Sequence, residues 1–399
     1  MSHRNRLILL PPNRVWRTYP GGRTLDALAG GPAPADTHLA EDWIASTTRA
    51  LNPPGVQLST PNARLPTPPG ISQVCVGLDP TPHDFVQLLA RDPEYFLGRA
   101  HAEKYGAQPQ LLVKFLDSGT RLHFQVHPTR EFAQRVLGAA SGKTEAYHVL
   151  AVRDEAAAVA SSAHPAAGPS PGTRRTTRSN AAPVPAGHIY VGFQRPPSPA
   201  RLREYIATQN IAAIESCFDP IPVRPGETFF IPGGTPHALG AGIFMVEIQE
   251  PSDLVIRFEY ERAGYLLPES ARFMGRDLDF ALTVFNLAPL TAEAVATRVR
   301  CPPGRRRELG PGSWQDELIG PARTDCFRVA HTHLGGPVVK DENSCAIAIV
   351  TAGAVMVGAG GETHQLHTYE KFFIPAGLGP VTLTPVGGSA GLLECFPPA

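Results

Sequence analysis

The chain has 399 residues, enough for two or three domains. Hydrophobic residues make up 42% and charged residues 18%, which allows a buried core and excludes a globally disordered polymer. Lys plus Arg and Asp plus Glu number 36 each, so no overall field draws the chain to nucleic acid or to a membrane surface, and an anionic ligand needs a local cluster of cations.

Met1 to Leu10 runs from basic residues into four apolar ones and stops at Pro11 and Pro12. That run is too short for the core of a signal peptide. No apolar stretch approaches the roughly 20 residues that cross a bilayer. The six cysteines, Cys75, Cys217, Cys301, Cys326, Cys345 and Cys395, form no CxxC pair. They read as reduced, mostly buried thiols, and the chain as a soluble cytoplasmic protein.

Thr81–Leu97 has the length and polar start of a helix. Leu111–Leu116 is a compact apolar strand interrupted by Lys114. An unpartnered lysine is costly to bury, so Lys114 points to a site. Arg121–His127 alternates, with Leu122, Phe124 and Val126 on one face and Arg121, His123, Gln125 and His127 on the other. Period two predicts a half-buried strand. Residues 155–186 carry almost no large apolar side chains and read as a flexible low-complexity insertion, with His164 solvated. Ser198–Thr208 is a second helix. Thr228–Ile231 and Ile243–Ile248 are strands bounded by Gly or Pro, and 263–299 is a helical or irregular connector. Many short strands between Gly/Pro turns predict a mainly β sandwich or barrel.

Val223–Gly234 and Leu366–Gly377 share the run FFIPxG, which predicts two copies of one β-unit. His237 follows Gly234 by three positions, whereas the matching position after the second copy is Pro380. The second copy therefore reads as structural. His123, His148, His331, His333, His364 and His367 read as ordinary polar residues.

Gln125 and His127, two apart on one strand face, can point at a single ion. Gly226-x5-Pro232-x-Gly234-x2-His237 matches the second signature of the cupin superfamily at every position. Gly119-x5-Gln125-x-His127 resembles the first, with Gln in place of its first His. The fold class is then two cupin (double-stranded β-helix, jelly-roll) barrels with a few helices. The expected division is 1–154 with 187–260 as the metal-binding domain, 155–186 as the insertion, 261–320 as connector, and 321–399 as a C-terminal barrel without metal.

A closer resemblance follows. Glu41-Asp42-Trp43, Leu111-Leu-Val-Lys-Phe-Leu-Asp117, Phe124-Gln-Val-His-Pro128, Gly142-Lys-Thr-Glu-Ala146, Ile231 through Gly242, and Ser252-Asp253 through Arg257 resemble, in order, blocks of the type I mannose-6-phosphate isomerases. The resemblance implies a zinc ion, one per chain, held by Gln125, His127, Glu145 and His237. One carboxylate and two imidazoles suit zinc, and a substrate or water oxygen can complete the shell. It implies an aldose–ketose isomerase that interconverts mannose 6-phosphate and fructose 6-phosphate by proton transfer through an enediolate, on a route to GDP-mannose. Lys143, Lys114 and Asp253 are the candidates for proton transfer. Lys143 stands two residues from Glu145, and a neighbouring cation would lower its pKa. Arg257 suits the phosphate or the developing anion. One extra residue between His237 and Arg257, and His148 where the family is more aromatic, depart from the pattern. A related isomerase or epimerase for another sugar, or a non-catalytic sugar-binding cupin, are the alternatives. The expected partner is a small phosphorylated sugar, with no organic cofactor, nucleic acid or membrane. A monomer is expected.

Overall fold

The computed structural model describes residues 4–52, 68–153 and 187–399; the insertion at 155–186, with His164, lies outside them. The chain is mainly β and builds two cupin-type barrels, each made of two antiparallel sheets. In the first barrel a six-stranded sheet runs in the order Thr228–Ile231, Glu145–Val152, Ile243–Gln249, Leu112–Asp117, Glu41–Ile44, Arg14–Val15. It faces a five-stranded sheet ordered Ile221–Pro222, His188–Val191, His237–Leu239, Gln125–Val126, Ile256–Arg257.

Side-chain alternation sorts the faces. Leu116, Tyr147, Val149, Ile231 and Met245 pack inside the barrel against Ile189, Val191 and Leu239. On the far side of the five-stranded sheet, Phe124, Val126, Tyr190, Ala238 and Ile256 pack with Leu202, Ile206 and Ile214. These come from helices Pro199–Ala207 and Ile211–Glu215. The first helix has the limits expected from sequence, with the Ser198 hydroxyl accepting from the Arg201 N–H as its cap. The connector is mixed: it holds strand Tyr265–Leu266, helix Leu278–Leu282 and shorter turns.

The shared FFIPxG runs occupy equivalent places. Thr228–Ile231 and Lys371–Ile374 each pair with a long central strand, Glu145–Val152 and Ala346–Ala352 respectively. Ile231 is opposite Glu145, and Ile374 is opposite Ala346. The register thus puts Ala346 in the second barrel where the first has Glu145, and the spacing after the shared run puts Pro380 where the first has His237. The barrels meet back to back, with Val113, Phe115, Val246 and Ile248 packed against Val329, Ile347, Ile349 and Leu393. Lys371 Nζ reaches Asp42 Oδ2 across this junction at 2.5 Å, and His148 stacks on His331 with ring centroids 6.0 Å apart.

Three readings from sequence are corrected. Only Gln125–Val126 of the Arg121–His127 segment is laddered as strand, and its polar face is not solvated: Arg121, His123 and His127 are all buried, because they line the barrel interior. Thr81–Leu97 is not one helix. Asp79–Asp84 is a strand, Asp84 caps helix Phe85–Arg91, and Pro93 opens a separate helix, Pro93–Leu97, after Asp92 at φ −156°. Proline has no N–H to continue a helix and drives the preceding residue out of helical geometry. Finally, Ile8–Leu9, Gln73–Val76 and Asp79–Asp84 join the nine-stranded sheet of the second barrel, next to Lys371–Ile374. Among the described residues no helix is long and apolar enough to cross a membrane. Cys217, Cys301, Cys326, Cys345 and Cys395 are buried thiols.

Candidate metal centre

Two ladders and one loop bring the residues read from the sequence together. His237 pairs directly with Gln125 across the five-stranded sheet, and Arg257 pairs with Gln125 from the other side. Odd-numbered residues of these strands face inward, so Gln125, His127, His237 and Arg257 share the barrel interior. Glu145 begins the facing strand and points the same way. The Gly/Pro signature explains the approach of His237. Gly234 adopts φ +82°, a conformation open to glycine, and its N–H donates to the His127 carbonyl at 2.6 Å. Gly142 is equally constrained, because a Cβ there would fall 2.5 Å from the backbone of Thr129 and Arg130. The loop carrying Lys143 can therefore lie against the strand end carrying His127.

His127, Glu145 and His237 form a fully buried cluster that could hold a metal ion. His127 Nε2 lies 3.2 Å from Glu145 Oε1, and His237 Nε2 lies 3.4 Å from Glu145 Oε2. Each imidazole gives its Nδ1–H to a carbonyl: His127 to Leu254 at 2.9 Å and His237 to Thr235 at 2.8 Å. Both Nε2 atoms are thereby left as lone pairs converging on a carboxylate, the donor arrangement a divalent cation takes. Burial, and then the charge of Lys143, push His127 down to about 3, and burial lowers His237 as well, so both rings are neutral as ligation requires. The Gln125 amide lies 3.2 Å from His237 Nε2, at the edge of this cluster.

Four further charged groups extend from the cluster along the six-stranded sheet. Lys143 Nζ is 2.6 Å from Glu145 Oε1 and 3.0 Å from His127 Nε2. Glu247 is opposite both Lys114 and Tyr147 in its ladders. It lies 3.2 Å from Lys114 Nζ and 3.8 Å from Lys143 Nζ. Burial raises its carboxyl to about 8; Lys114 opposes the shift, and the nearby Glu145 charge adds to it. Burial alone would lower Lys114, but Glu247 and Glu41, the latter 3.6 Å away, outweigh it and hold the ammonium above its ordinary pKa. Lys114 thus faces the site, as its place in an apolar strand implies.

Asp253 is committed elsewhere. Both its oxygens accept from the Arg17 guanidinium at 2.9 Å, and Oδ2 also accepts from the Leu51 N–H at 2.8 Å. Burial works against the charge, yet Arg17 holds the carboxyl far below the usual range. Arg257 is the reverse case. Burial and then Arg17 lower it to about 10, and its hydrogen bond among the described residues goes to the Ala271 carbonyl.

Glu247 and Arg17 escape the sequence reading. Glu247 carries the same signal as Lys114, a charge in an otherwise apolar strand, Ile243–Gln249. Arg17 carries none, since its partner lies 236 residues away. His331 and His333 stand on a second-barrel strand, and His364 and His367 on another, away from the cluster.

No family model matches the chain. Among curated proteins it is 22% identical over 275 residues to a Bacillus subtilis protein named "Probable mannose-6-phosphate isomerase GmuF", a match covering 68% of this chain and 71% of that one. It is 29% identical over 167 residues to mannose-6-phosphate isomerase of Streptococcus mutans, covering 41% of this chain and 42% of that relative, less than half its length. Among solved structures, mannose 6-phosphate isomerase of Bacillus subtilis superposes with a TM-score of 0.66 at 18% identity, over 98% of this chain and 99% of the other. A variant of phosphomannose isomerase from Salmonella typhimurium gives 0.66 at 15% identity, over 98% and 100%. At these identities the superpositions establish the fold. The resemblance read from sequence thus recurs in curated relatives and in architecture.

Proposed function

We propose that the chain is a metal-dependent aldose–ketose isomerase acting on mannose 6-phosphate and fructose 6-phosphate, with one zinc ion held by Gln125, His127, Glu145 and His237. The observation that carries the reading is the pair of Nε2 lone pairs aimed at Glu145 in a buried pocket that also holds two lysines. Relatives named mannose-6-phosphate isomerase support the choice of substrate.

The reaction moves a proton between two neighbouring carbons while charge develops on their oxygens. A divalent ion held by His127, Glu145 and His237 would supply positive charge to polarise those oxygens. Lys143 is our candidate to carry the proton, since its Nζ touches the cluster and reaches toward Glu247. Lys114, kept charged by Glu247 and Glu41, donates to a substrate oxygen. Asp253, saturated by Arg17 and Leu51, anchors Arg17 rather than moving a proton. Arg257, buried and with no carboxylate in ion-pair contact among the described residues, receives the anionic end of the substrate. The catalytic unit is then the first barrel, drawn from 1–154 and 187–260 without the strands Ile8–Leu9, Gln73–Val76 and Asp79–Asp84, working as a cytoplasmic monomer.

The test is a coupled assay with mannose 6-phosphate, with unphosphorylated mannose as control and metal analysis alongside. Turnover of the phosphorylated sugar by protein holding about one zinc per chain is expected. A metal-replete protein inert toward mannose 6-phosphate would overturn the reading.

A further inference from the structure

Glu145 opens a ladder strand, but Lys143 comes just before it, outside any strand. A contact other than the ladder must therefore fix where its ammonium points. Gln249 stands opposite Glu145, and one step past the ladder Glu250 meets Thr144. A hydrogen-bonded ladder pair exchanges two backbone bonds. Here the Glu250 N–H donates to the Thr144 carbonyl at 3.2 Å, but the Glu250 carbonyl is already taken by the Gln249 amide at 3.1 Å and the Ser252 N–H at 2.7 Å. The Thr144 N–H donates instead to the Glu250 side chain, to Oε2 at 3.0 Å. The rest of the loop is fixed in the same way. The Ser252 hydroxyl donates to the Gly142 carbonyl at 2.6 Å, and the Lys143 N–H to the Pro128 carbonyl at 3.0 Å. Glu250 is 2% exposed, and its other oxygen, Oε1, accepts from Arg130 Nε at 2.8 Å. The same guanidinium reaches the second barrel: Nη1 donates to Asp325 Oδ2 at 3.0 Å and Nη2 to Cys326 Sγ at 2.8 Å, just before strand Arg328–Leu334.

We infer that Glu250 is a positioning residue for the proposed proton transfer: its carboxylate clamps the loop at 142–144 so that Lys143 keeps its ammonium on the cluster, and Arg130 ties that clamp to the second barrel. The inference rests on the isomerase reading for what Lys143 does. Both oxygens of Glu250 face N–H donors, so the position requires a group that only accepts. An amide there would turn its own NH2 toward one of them. Glu145 itself is laddered to Ile231 on one side and Gln249 on the other, and keeps its place without the clamp. Glu250 hence governs Lys143 and leaves metal binding alone. The second barrel, which lacks the ligand residues, acquires a task through Arg130: it backs the clamp.

The experiment compares wild type, Glu250→Gln, Lys143→Ala and the double variant, each zinc-loaded, in the coupled assay with mannose 6-phosphate. Hydrogen exchange across 141–145 is followed by mass spectrometry on the same proteins. Glu250→Gln is expected to lower kcat about tenfold, a loss that a small displacement of a reacting group brings, with KM and zinc content nearly unchanged. Combined with Lys143→Ala it should lower kcat no further. Exchange across 141–145 should quicken about tenfold while the flanking strands keep their protection. Arg130→Met leaves the Thr144 bond in place; it should show both effects in smaller measure, and it serves if Glu250→Gln melts early. Wild-type kcat in folded Glu250→Gln, an undiminished further loss in the Lys143→Ala background, or loss of zinc would each overturn the positioning role. A lower melting temperature with kcat intact would overturn it too, since Glu250 would then support the fold alone. A wild type without turnover would sink the function reading, whereas unchanged exchange in Glu250→Gln would sink the clamp whatever the turnover.

Discussion

Asp253 gives both carboxylate oxygens to Arg17, each at 2.9 Å, although the two residues lie 236 positions apart. Both are buried, and Arg17 also leans toward Glu41 at 3.4 Å. Removing one member strands a charge away from water. Arg17→Met is expected to cost about 3–5 kcal/mol of stability, and Asp253→Asn a similar amount, because the guanidinium then loses its partner. The double variant should lose less than the sum, as read by chemical denaturation in a double-mutant cycle. Additive losses would show that the pair does not act as a unit.

Metal content follows His237. His237→Ala removes one of two converging lone pairs, so zinc per chain and turnover are expected to fall together, with turnover down by at least a hundredfold. A chelator should abolish turnover in the wild type, and added zinc should restore it. Mass spectrometry of the metal beside the coupled assay reads both; a zinc-replete, active variant would contradict the ligand assignment.

Lys143 separates chemistry from metal binding. Its Nζ contacts Glu145 and His127, yet it is not itself a ligand in the proposed set. Lys143→Ala is expected to lower kcat more than tenfold while zinc remains bound. Unchanged kinetics would exclude it as the proton carrier.

The junction between barrels sets an acid limit. Burial, and then the charge of His331, push His148 down to about 3. Burial lowers His331, with Asp316 and Glu394 opposing and His333 adding to it. A depressed pKa in the folded state means the unfolded chain binds the extra proton first. Stability from His148 is therefore complete above about pH 6.5 and is lost as pH falls toward about 3, by up to about 1.4 kcal/mol per pH unit, and His331 acts in the same direction. Replacing His148 with Asn is expected to flatten the acid limb of a melting-temperature profile. A profile that keeps its slope would place the acid sensitivity elsewhere.

Spacing singled out Gln125, His127 and His237, because strand alternation and the Gly/Pro signature each demand particular residue types at fixed intervals, whereas Glu145 entered only through the family resemblance. The repeated FFIPxG run likewise announced two related barrels. Arg121–His127 misled because alternation reports two chemically distinct faces, and here the polar one lines a buried interior. Thr81–Leu97 misled because its apolar content suits both the strand and the two helices into which it divides at Asp84 and Pro93. Arg17 was invisible, since a guanidinium in a loop says nothing of a carboxylate far along the chain. His123 was set aside as a bland histidine. Its Nε2, buried and unpartnered among the described residues, shows itself only in the folded chain.

The two-residue strand Ile8–Leu9 is hydrogen-bonded to Phe372 and Phe373 on one side and to Cys75 and Val76 on the other. During synthesis Ile8–Leu9 leaves the ribosome long before Phe372 and Phe373, so the edge that they cover stays bare until they follow. The first barrel can assemble beforehand, but covering that edge waits on Lys371–Ile374. Ribosomal stalling between the two barrels would hold an apolar edge open to whatever strand passes by.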